Sequence, residues 1–212
     1  MDRFGKRREL MVRRDIEPRG IRDARVLAAM RHVPRERFVP ERWREDAYDD
    51  GALPIGAHQT ISQPYVVAWM VDALELPDDA RVLEIGTGSG YGAAVLAEVA
   101  TEVVTVERLG ELADVARDVL LELGYSNVVV VVGDGTLGNE EHAPYDGICV
   151  TAAAPDIPRT LLRQLTDHGR LVIPVGDRDG QELTVIARDG EQFSRKTVGG
   201  VRFVPLIGDQ GW

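Results

Sequence analysis

From Arg81 onward, short runs of β-branched residues alternate with segments of helical character, and this alternation most constrains the fold. The runs are RVLEI, EVVTV, NVVVVV, YDGICV and GRLVIPV, and PDIPRTLLRQLTDH lies between the last two. Such alternation predicts right-handed βαβ units and a mostly parallel, doubly wound sheet of the α/β class. The nearly continuous apolar character of NVVVVV predicts a strand covered on both faces.

The two ends of the chain depart from this pattern. IRDARVLAAMRHV has helical spacing, and the prolines that follow it indicate turns, so we expect an N-terminal helical cap. Near the C-terminus, LTVIAR and VRFVPL are predicted strands joined by a loop with Asp189 and Gly190, which makes an antiparallel addition at the sheet edge. We predict one domain, 1–212, made of a cap with a substrate loop (1–78), a cofactor-binding core (79–176) and edge strands (177–212).

Composition limits the partners. With 212 residues and 44% hydrophobic side chains, the chain is long enough for one domain with a substantial core. A formal charge of −10 argues against nonspecific binding to nucleic acid. No run approaches the roughly 20 apolar residues of a membrane span, and the charged N-terminus lacks a signal-peptide core, so we expect a cytoplasmic protein. We also expect it to work as a monomer. The lone Cys149 is predicted to be buried and inert.

A glycine-rich loop follows the first of these strands. In VLEIGTGSGYGAAVLAEV, Gly86, Gly88 and Gly90 stand between a strand and a helix-forming segment, where backbone amides can meet an anionic or polar ligand. Because Gly88, Gly90 and Ala93 also satisfy the dinucleotide pattern, the glycines alone leave a nicotinamide or flavin enzyme open.

Two carboxylates narrow the choice of cofactor. Glu107 ends the second strand, where an acid can accept hydrogen bonds from ribose hydroxyls. Glu84 stands two residues before the first glycine and can help to hold an ammonium group. S-adenosylmethionine has such a group, whereas Glu84 would repel the pyrophosphate of NAD. Local capping by Glu84 remains an alternative.

Other polar residues have two interpretations each. Asp134, in GDGTLG, can accept from an adenine amino group or form an Asx turn. In PIGAHQTISQPYVVAWM, Thr60 and Gln63 have the spacing of a capping box, with Pro64 at the first helical position. Polar contact with a ligand is the other interpretation of this segment.

These motifs together resemble the protein-L-isoaspartate O-methyltransferases, Rossmann-like class I S-adenosylmethionine enzymes. The resemblance runs in order from about Ile21 to Leu206. It includes MRHVPRERFVP, LPIGAHQTISQPYVVA, LEIGTGSGYGAAVLA, VERLGELADVAR, APYDGICVTAAAPDIPRTLLRQL, HGRLVIPVG, QELTVIAR and VRFVPL. TISQP and VTAAAP are the specific motifs, because the glycine loop alone would indicate only some methyltransferase.

The resemblance implies transfer of a methyl group from S-adenosylmethionine to the α-carboxylate of L-isoaspartyl residues in damaged proteins or peptides, which starts repair through a succinimide. It implies that Ser62 is the catalytic contact and that Thr60, Ile61 and Ser62 bind substrate. The implied cofactor-binding residues are Glu84, Gly86, Gly88, Gly90, Glu107, Asp134 and Gly135. A family glutamine near the C-terminus corresponds to Gln210 under one placement of gaps.

The chemistry agrees with what the sequence lacks. A carboxylate acceptor is already ionised at neutral pH, so no strong general base is required, and no metal is expected. The four histidines are scattered, with no Ser/His/Asp set and no HExxH motif. His58 departs from the family, which more often has a small residue there. Two alternatives remain: a related methyltransferase that tailors a peptide or small molecule, and a cofactor-binding regulator without turnover.

Overall fold

Helices and short turns make up the first part of the chain, and the computed structural model describes residues 3–212. The α-helices there are α1 (Arg3–Met11), α2 (Ala24–His32) and α3 (Pro64–Ala73). A small hairpin of β1 (Leu53–Gly56) and β2 (Gln59–Ile61) precedes α3. The remaining turns are a π-helical turn at Val12–Ile16 and 3-10 turns at Glu17–Arg19, Arg35–Phe38 and Glu41–Trp43. The predicted helical cap is therefore confirmed for the described residues.

A seven-stranded sheet follows the cap. Its strands are β3 (Arg81–Ile85), β4 (Glu102–Glu107), β5 (Val128–Val132), β6 (Tyr145–Val150), β7 (Leu165–Gly176), β8 (Gln181–Asp189) and β9 (Gln192–Val201). Their helices are α4 (Tyr91–Ala97), α5 (Gly110–Glu122) and α6 (Arg159–Arg163). The spatial order is β5-β4-β3-β6-β7-β8-β9, parallel through β7 and antiparallel beyond it. This confirms the doubly wound sheet and its antiparallel edge.

Alternate side chains of the central strands enter two apolar layers. Val82 and Val103 pack with the cap helices on one face, and Leu83 and Val104 pack on the other face with the C-terminal residue Leu206. Burial of each such side chain stabilises the fold by about 1.5–3 kcal/mol. The layers therefore hold the strand ends rigidly in place. Within residues 3–212, the structure contains no helix with the length and apolar character that a membrane crossing requires.

The prediction that NVVVVV is covered on both faces was wrong. β5 is an edge strand that pairs with β4 alone, and Val129 and Val132 are 39% and 52% exposed. The connection to β6 contains a 3-10 turn, Gly135–Leu137, instead of a helix that could cover the outer face.

Two further boundaries differ from the sequence patterns. In PDIPRTLLRQLTDH only Arg159–Arg163 is α-helical, because β7 already begins at Leu165. The last strand is Gln192–Val201, so VRFVPL was wrongly predicted as a hairpin strand. It crosses the sheet end instead, where Pro205 forms an isolated bridge with Ala153.

Candidate active site

A cavity of about 400 Å³ lies at the carboxyl ends of the parallel strands, the edge at which open α/β sheets bind ligands. Three parts of the chain enclose it: the β1–β2 hairpin, the loops that follow the strands, and the C-terminal segment. The main lining residues are 58–62, 84–89, 106–109, Gly135, Cys149, 151–152 and 204–207.

The glycine loop forms one wall. Gly86, Gly88 and Gly90 have φ values of +96°, +52° and +87°, a region that side chains with a Cβ rarely adopt. A Cβ on Gly86 would also collide with the hydroxyl of Thr151, which donates to the Gly86 carbonyl at 2.7 Å. Gly86 and Gly88 line the cavity, whereas Gly90 lies behind the wall against Ala116 of α5. Gly90 therefore contributes the backbone turn into α4.

Glu84 is a buried carboxylate in this wall. Its residue is 1% exposed, and it accepts a hydrogen bond from the hydroxyl of Thr105 at 2.6 Å. Burial raises the pKa of Glu84 to about 8. The hydrogen bond from Thr105 opposes this shift, and the nearby charge of Glu107 adds to it. Among residues 3–212 no cationic side chain forms an ion pair with it. A cationic group in the cavity would favour its ionised form.

Glu107 has its orientation fixed by the backbone. Oε2 accepts from the amide of Gly88 at 2.9 Å, and Oε1 accepts from the amide of Leu109 at 3.0 Å. The residue is 7% exposed and lines the cavity at the end of β4. Each oxygen retains a lone pair, so the carboxylate can still accept a hydrogen bond from a ligand hydroxyl.

Asp134 and Gly135 lie at the end of β5 but differ in their contacts. Gly135 lines the cavity, and a Cβ there would collide with Ile85. Asp134 lies outside the lining and accepts from the amide of Thr136 at 2.8 Å and from that of Asp209 at 2.8 Å. The hydrogen bond from the Thr136 amide forms the Asx turn that was one of the two interpretations of Asp134. Its contact with adenine stays a prediction.

The hairpin carries the predicted substrate residues. Thr60 is exposed, Ile61 is buried and Ser62 is half-buried, and all three line the cavity. Among the described residues the hydroxyl of Ser62 has no hydrogen-bond partner, while its backbone carbonyl accepts from Arg35 at 2.8 Å. The Ser62 hydroxyl is therefore available to a ligand.

The start of α3 only partly follows the predicted cap. Pro64 is the first helical residue, as predicted, but Gln63 makes no capping hydrogen bond with its side chain. That side chain donates instead to the carbonyl of Asp50 at 3.3 Å. The capping-box prediction was therefore wrong, and the hydroxyl of Thr60 is left for other contacts.

His58 and Gln210 occupy different places relative to the cavity. His58 lies at the exposed tip of the hairpin and lines the cavity, and both central residues of the turn, Ala57 and His58, have positive φ values of 46° and 57°. The side chain of Gln210 bonds with Thr160 and is outside the cavity lining.

Sequence reasoning assigned no role to several residues that form the site. Thr105 and Thr87 share a hydrogen bond of 2.7 Å beneath the loop, and Thr151 supports Gly86. Thr151 belongs to VTAAAP, a motif singled out without a role for its threonine. The sequence gives no sign of the role of Arg35 beyond its place in MRHVPRERFVP, because its partners are the backbone carbonyls of later residues.

A mostly parallel sheet with a glycine loop after β3 and carboxylates at the ends of β3 and β4 defines a Rossmann-like protein with a site suited to a nucleoside cofactor. The family model described as "Protein-L-isoaspartate(D-aspartate) O-methyltransferase (PCMT)" matches residues 6–211. The chain belongs to this family.

Relatives and a solved structure agree with the assignment. Protein-L-isoaspartate O-methyltransferase 2 of Pelobacter propionicus is 59% identical over 97% of this chain and 92% of its own length. The enzyme of Methanoregula boonei is 56% identical over 97% of this chain and 94% of its own length. A crystal structure from Plasmodium falciparum, assigned to the same enzyme type and solved with S-adenosyl-L-homocysteine, has a TM-score of 0.79 at 24% identity, covering 98% of this chain and 99% of that chain. The last comparison bears on the fold.

Proposed function

We propose that the cavity is the active site of an S-adenosylmethionine-dependent protein-L-isoaspartate O-methyltransferase. The enzyme methylates the α-carboxylate of L-isoaspartyl residues in damaged proteins and peptides. The neighbouring backbone amide nitrogen then attacks the methyl ester, methanol leaves and a succinimide forms. Hydrolysis of the succinimide restores some normal aspartate.

The buried carboxylate of Glu84 is the observation that carries this function. It has a hydroxyl partner but no cationic partner among residues 3–212, and it lines the cavity beside the glycine loop. A buried carboxylate is costly unless it is paired, so the site suits a ligand with a positive group. The ammonium of S-adenosylmethionine meets this requirement, whereas the pyrophosphate of NAD would be repelled.

The residues of the cavity fit the rest of the cofactor. Glu84 would hold the ammonium, the backbone of Gly86 and Gly88 would lie along the ligand, and Glu107 would accept from the ribose hydroxyls. Gly135 would flank the adenine from the cavity wall, and Asp134, outside the lining, would accept from the adenine amino group. Gly90 would act through the loop, since it lies behind the wall. When bound, S-adenosylmethionine supplies an electrophilic methyl group.

The chain's own contribution is the alignment of the acceptor. An ionised carboxylate needs no base, so the hydroxyl of Ser62, with Thr60 and Ile61 beside it, orients the substrate at the cavity. Well-aligned reactants can gain on the order of 7–11 kcal/mol from proximity alone. The apolar residues that line the cavity, among them Met70 and Val71, exclude water from the reacting groups.

Labelled S-adenosylmethionine, with an isoaspartyl peptide and its normal aspartyl counterpart, tests the function. We expect transfer to the isoaspartyl peptide alone. Transfer to another carboxylate and not to isoaspartate would indicate the tailoring enzyme, and cofactor binding without any transfer would indicate the regulator.

Ser62→Ala tests the role of the hairpin. We expect cofactor affinity to stay within about twofold and kcat/KM for the isoaspartyl peptide to fall about tenfold or more, as the loss of one orienting hydrogen bond implies. Ser194→Ala, on the exposed strand β9, is the matched control and should leave both unchanged. Equal turnover in Ser62→Ala and wild type would remove Ser62 from the mechanism.

We also propose that the enzyme acts as a monomer in the cytoplasm and does not bind nucleic acid. The charge of −10 supports the last point, because a phosphate backbone would be repelled. Light scattering at micromolar concentration tests the monomer, and a gel-shift assay at low salt tests the absence of nucleic-acid binding.

A further inference from the structure

Arg35 is an unusually buried cation in the cap. It begins the 3-10 turn Arg35–Phe38, it is 0% exposed, and burial lowers the pKa of its guanidinium to about 10, so it stays charged at neutral pH. Among residues 3–212 it forms no ion pair, and its Nη1 is buried without a hydrogen-bond partner. Burying a charge without an ionic partner is unfavourable, so its hydrogen bonds matter to the fold.

The hydrogen bonds of Arg35 all serve one segment of backbone. Nε donates to the carbonyl of Ala47 at 2.7 Å, and Nη2 donates to the carbonyls of Ser62 at 2.8 Å and Gly51 at 3.4 Å. Ala47 and Ser62 are the two ends of the segment 47–62, which contains the β1–β2 hairpin. One rigid guanidinium therefore ties both ends of the segment that forms the substrate side of the cavity.

The hairpin has little other support from the sheet. β1 and β2 pair only with each other, in a sheet separate from the seven-stranded one. Apolar contacts hold the hairpin against the core, where Ile61 is buried and Leu53 and Ile55 pack beside it, and the hydrogen bond from Arg35 fixes the backbone at Ser62. The planar fork of an arginine can bind carbonyls in two directions at once, which an ammonium cannot do with the same geometry.

Arg35 also contacts the glycine-loop side of the cavity. Its Cζ lies 4.8 Å from the ring centroid of Tyr91, the first residue of α4 and a lining residue. Phe38 packs edge-on against the same ring at 5.7 Å between centroids, so Tyr91 has a second support.

We propose that Arg35 is a positioning residue for methyl transfer, which holds Ser62 at the acceptor carboxylate by binding the carbonyl oxygens of Ala47 and Ser62. It touches neither reactant and acts through the backbone of the hairpin segment. The inference rests on the proposed role of Ser62.

A double-mutant cycle tests the inference. Arg35→Met should lower kcat/KM for the isoaspartyl peptide about tenfold or more, because a displacement of about 1 Å at a reacting group can cost up to a hundredfold. In the Ser62→Ala background the same change should cost less than about threefold, since residues that act through one another are not additive. S-adenosylmethionine affinity, measured by calorimetry, should change less than about threefold.

Arg31→Met is the matched control. Arg31 is a half-buried cation of the same cap that pairs with Glu9 at 3.1 Å and with Glu17, and it has no contact with the hairpin. We expect it to lower the melting temperature and to leave kcat/KM within about twofold in both backgrounds, because its partners lie in the cap.

The outcomes separate the two proposals. If Ser62→Ala alone has no effect, the role of Ser62 is wrong and the inference about Arg35 is overturned with it. If Ser62→Ala is impaired but Arg35→Met costs the same in both backgrounds, only the inference about Arg35 is wrong. If Arg35→Met lowers cofactor affinity and kcat/KM equally, Arg35 acts through Tyr91. That outcome also overturns the inference about Arg35.

Arg35→Lys covers the case in which Arg35→Met does not fold. It keeps the charge but loses the fork, so we expect a smaller loss of kcat/KM and faster amide exchange at residues 59–63 than in wild type. Unchanged exchange and unchanged kcat/KM in Arg35→Lys would overturn the inference.

Discussion

Gly92, in the first turn of α4, leaves the space that Oε1 of Glu84 occupies, and a Cβ at position 92 would collide with that oxygen. Gly92→Ala should therefore displace the carboxylate and weaken S-adenosylmethionine binding about tenfold or more, as loss of a charge-assisted hydrogen bond would. Alanine is about 1 kcal/mol better than glycine in a helix, so stability should fall little. Gly110→Ala at the start of α5 has open space around it and is the control. Unchanged affinity in Gly92→Ala, measured by calorimetry, would contradict the role of Glu84.

Glu84 should make the cofactor-free protein less stable as pH rises. Its folded pKa of about 8 lies above the ordinary value of 4.5, so between these values the folded protein binds more protons than the unfolded chain. The unfolding free energy of wild type should therefore fall relative to that of Glu84→Gln across this window, by up to about 1.4 kcal/mol per pH unit, and the difference should level off above it. Urea unfolding of both proteins from pH 5 to 9 measures this. A constant difference would contradict the expectation.

Asp134 joins the end of β5 to the C-terminal segment. Burial alone would raise the pKa of Asp134. Hydrogen bonds from the amide of Asp209 and from Thr136 outweigh this effect and lower the pKa. Asp134→Ala should reduce the unfolding free energy by about 1–2 kcal/mol and speed amide exchange at Asp209 and Gln210. Asp156→Ala, at an exposed loop position, is the comparison. Unaltered exchange at Asp209 would show that the segment does not depend on this carboxylate.

His58 occupies a turn position that favours glycine. Its φ of 57° is in the left-handed region, which costs a residue with a Cβ on the order of 1 kcal/mol. His58→Gly should therefore stabilise the protein slightly or leave it unchanged, and turnover of the isoaspartyl peptide should persist. Thermal melting and the methyl-transfer assay check this. A loss of turnover at full stability would assign His58 to substrate binding.

Much of the core could be predicted because its signals are local. The period of apolar residues predicted β3 and β4, and the spacing of Glu84 and Glu107 from the glycines placed both carboxylates at one sheet edge, where the structure has them. The family motifs added the reaction and Ser62, whose hydroxyl has no partner among residues 3–212. The roles of these residues in catalysis and cofactor binding stay predictions.

The failures came from missing information on neighbours. An apolar run such as NVVVVV has the same pattern at the centre and at the edge of a sheet. Only the tertiary structure makes β5 an edge strand and leaves no helix in the connection to β6 to cover the face of Val129. VRFVPL has a strand's composition, but pairing of β9 with β8 ended at Val201, which sent the segment across the cavity.

The sequence by itself determined the doubly wound core, the glycine loop and the acids beside it, since these depend on periodicity and on short spacings that fix where each strand ends. Only the tertiary structure decided which distant groups meet. The guanidinium of Arg35 reaches the carbonyl of Ser62, and the carboxylate of Asp134 reaches the amide of Asp209. Such contacts form between segments far apart in the chain, and a backbone carbonyl or amide is the same at every residue, so no residue type marks it as a partner.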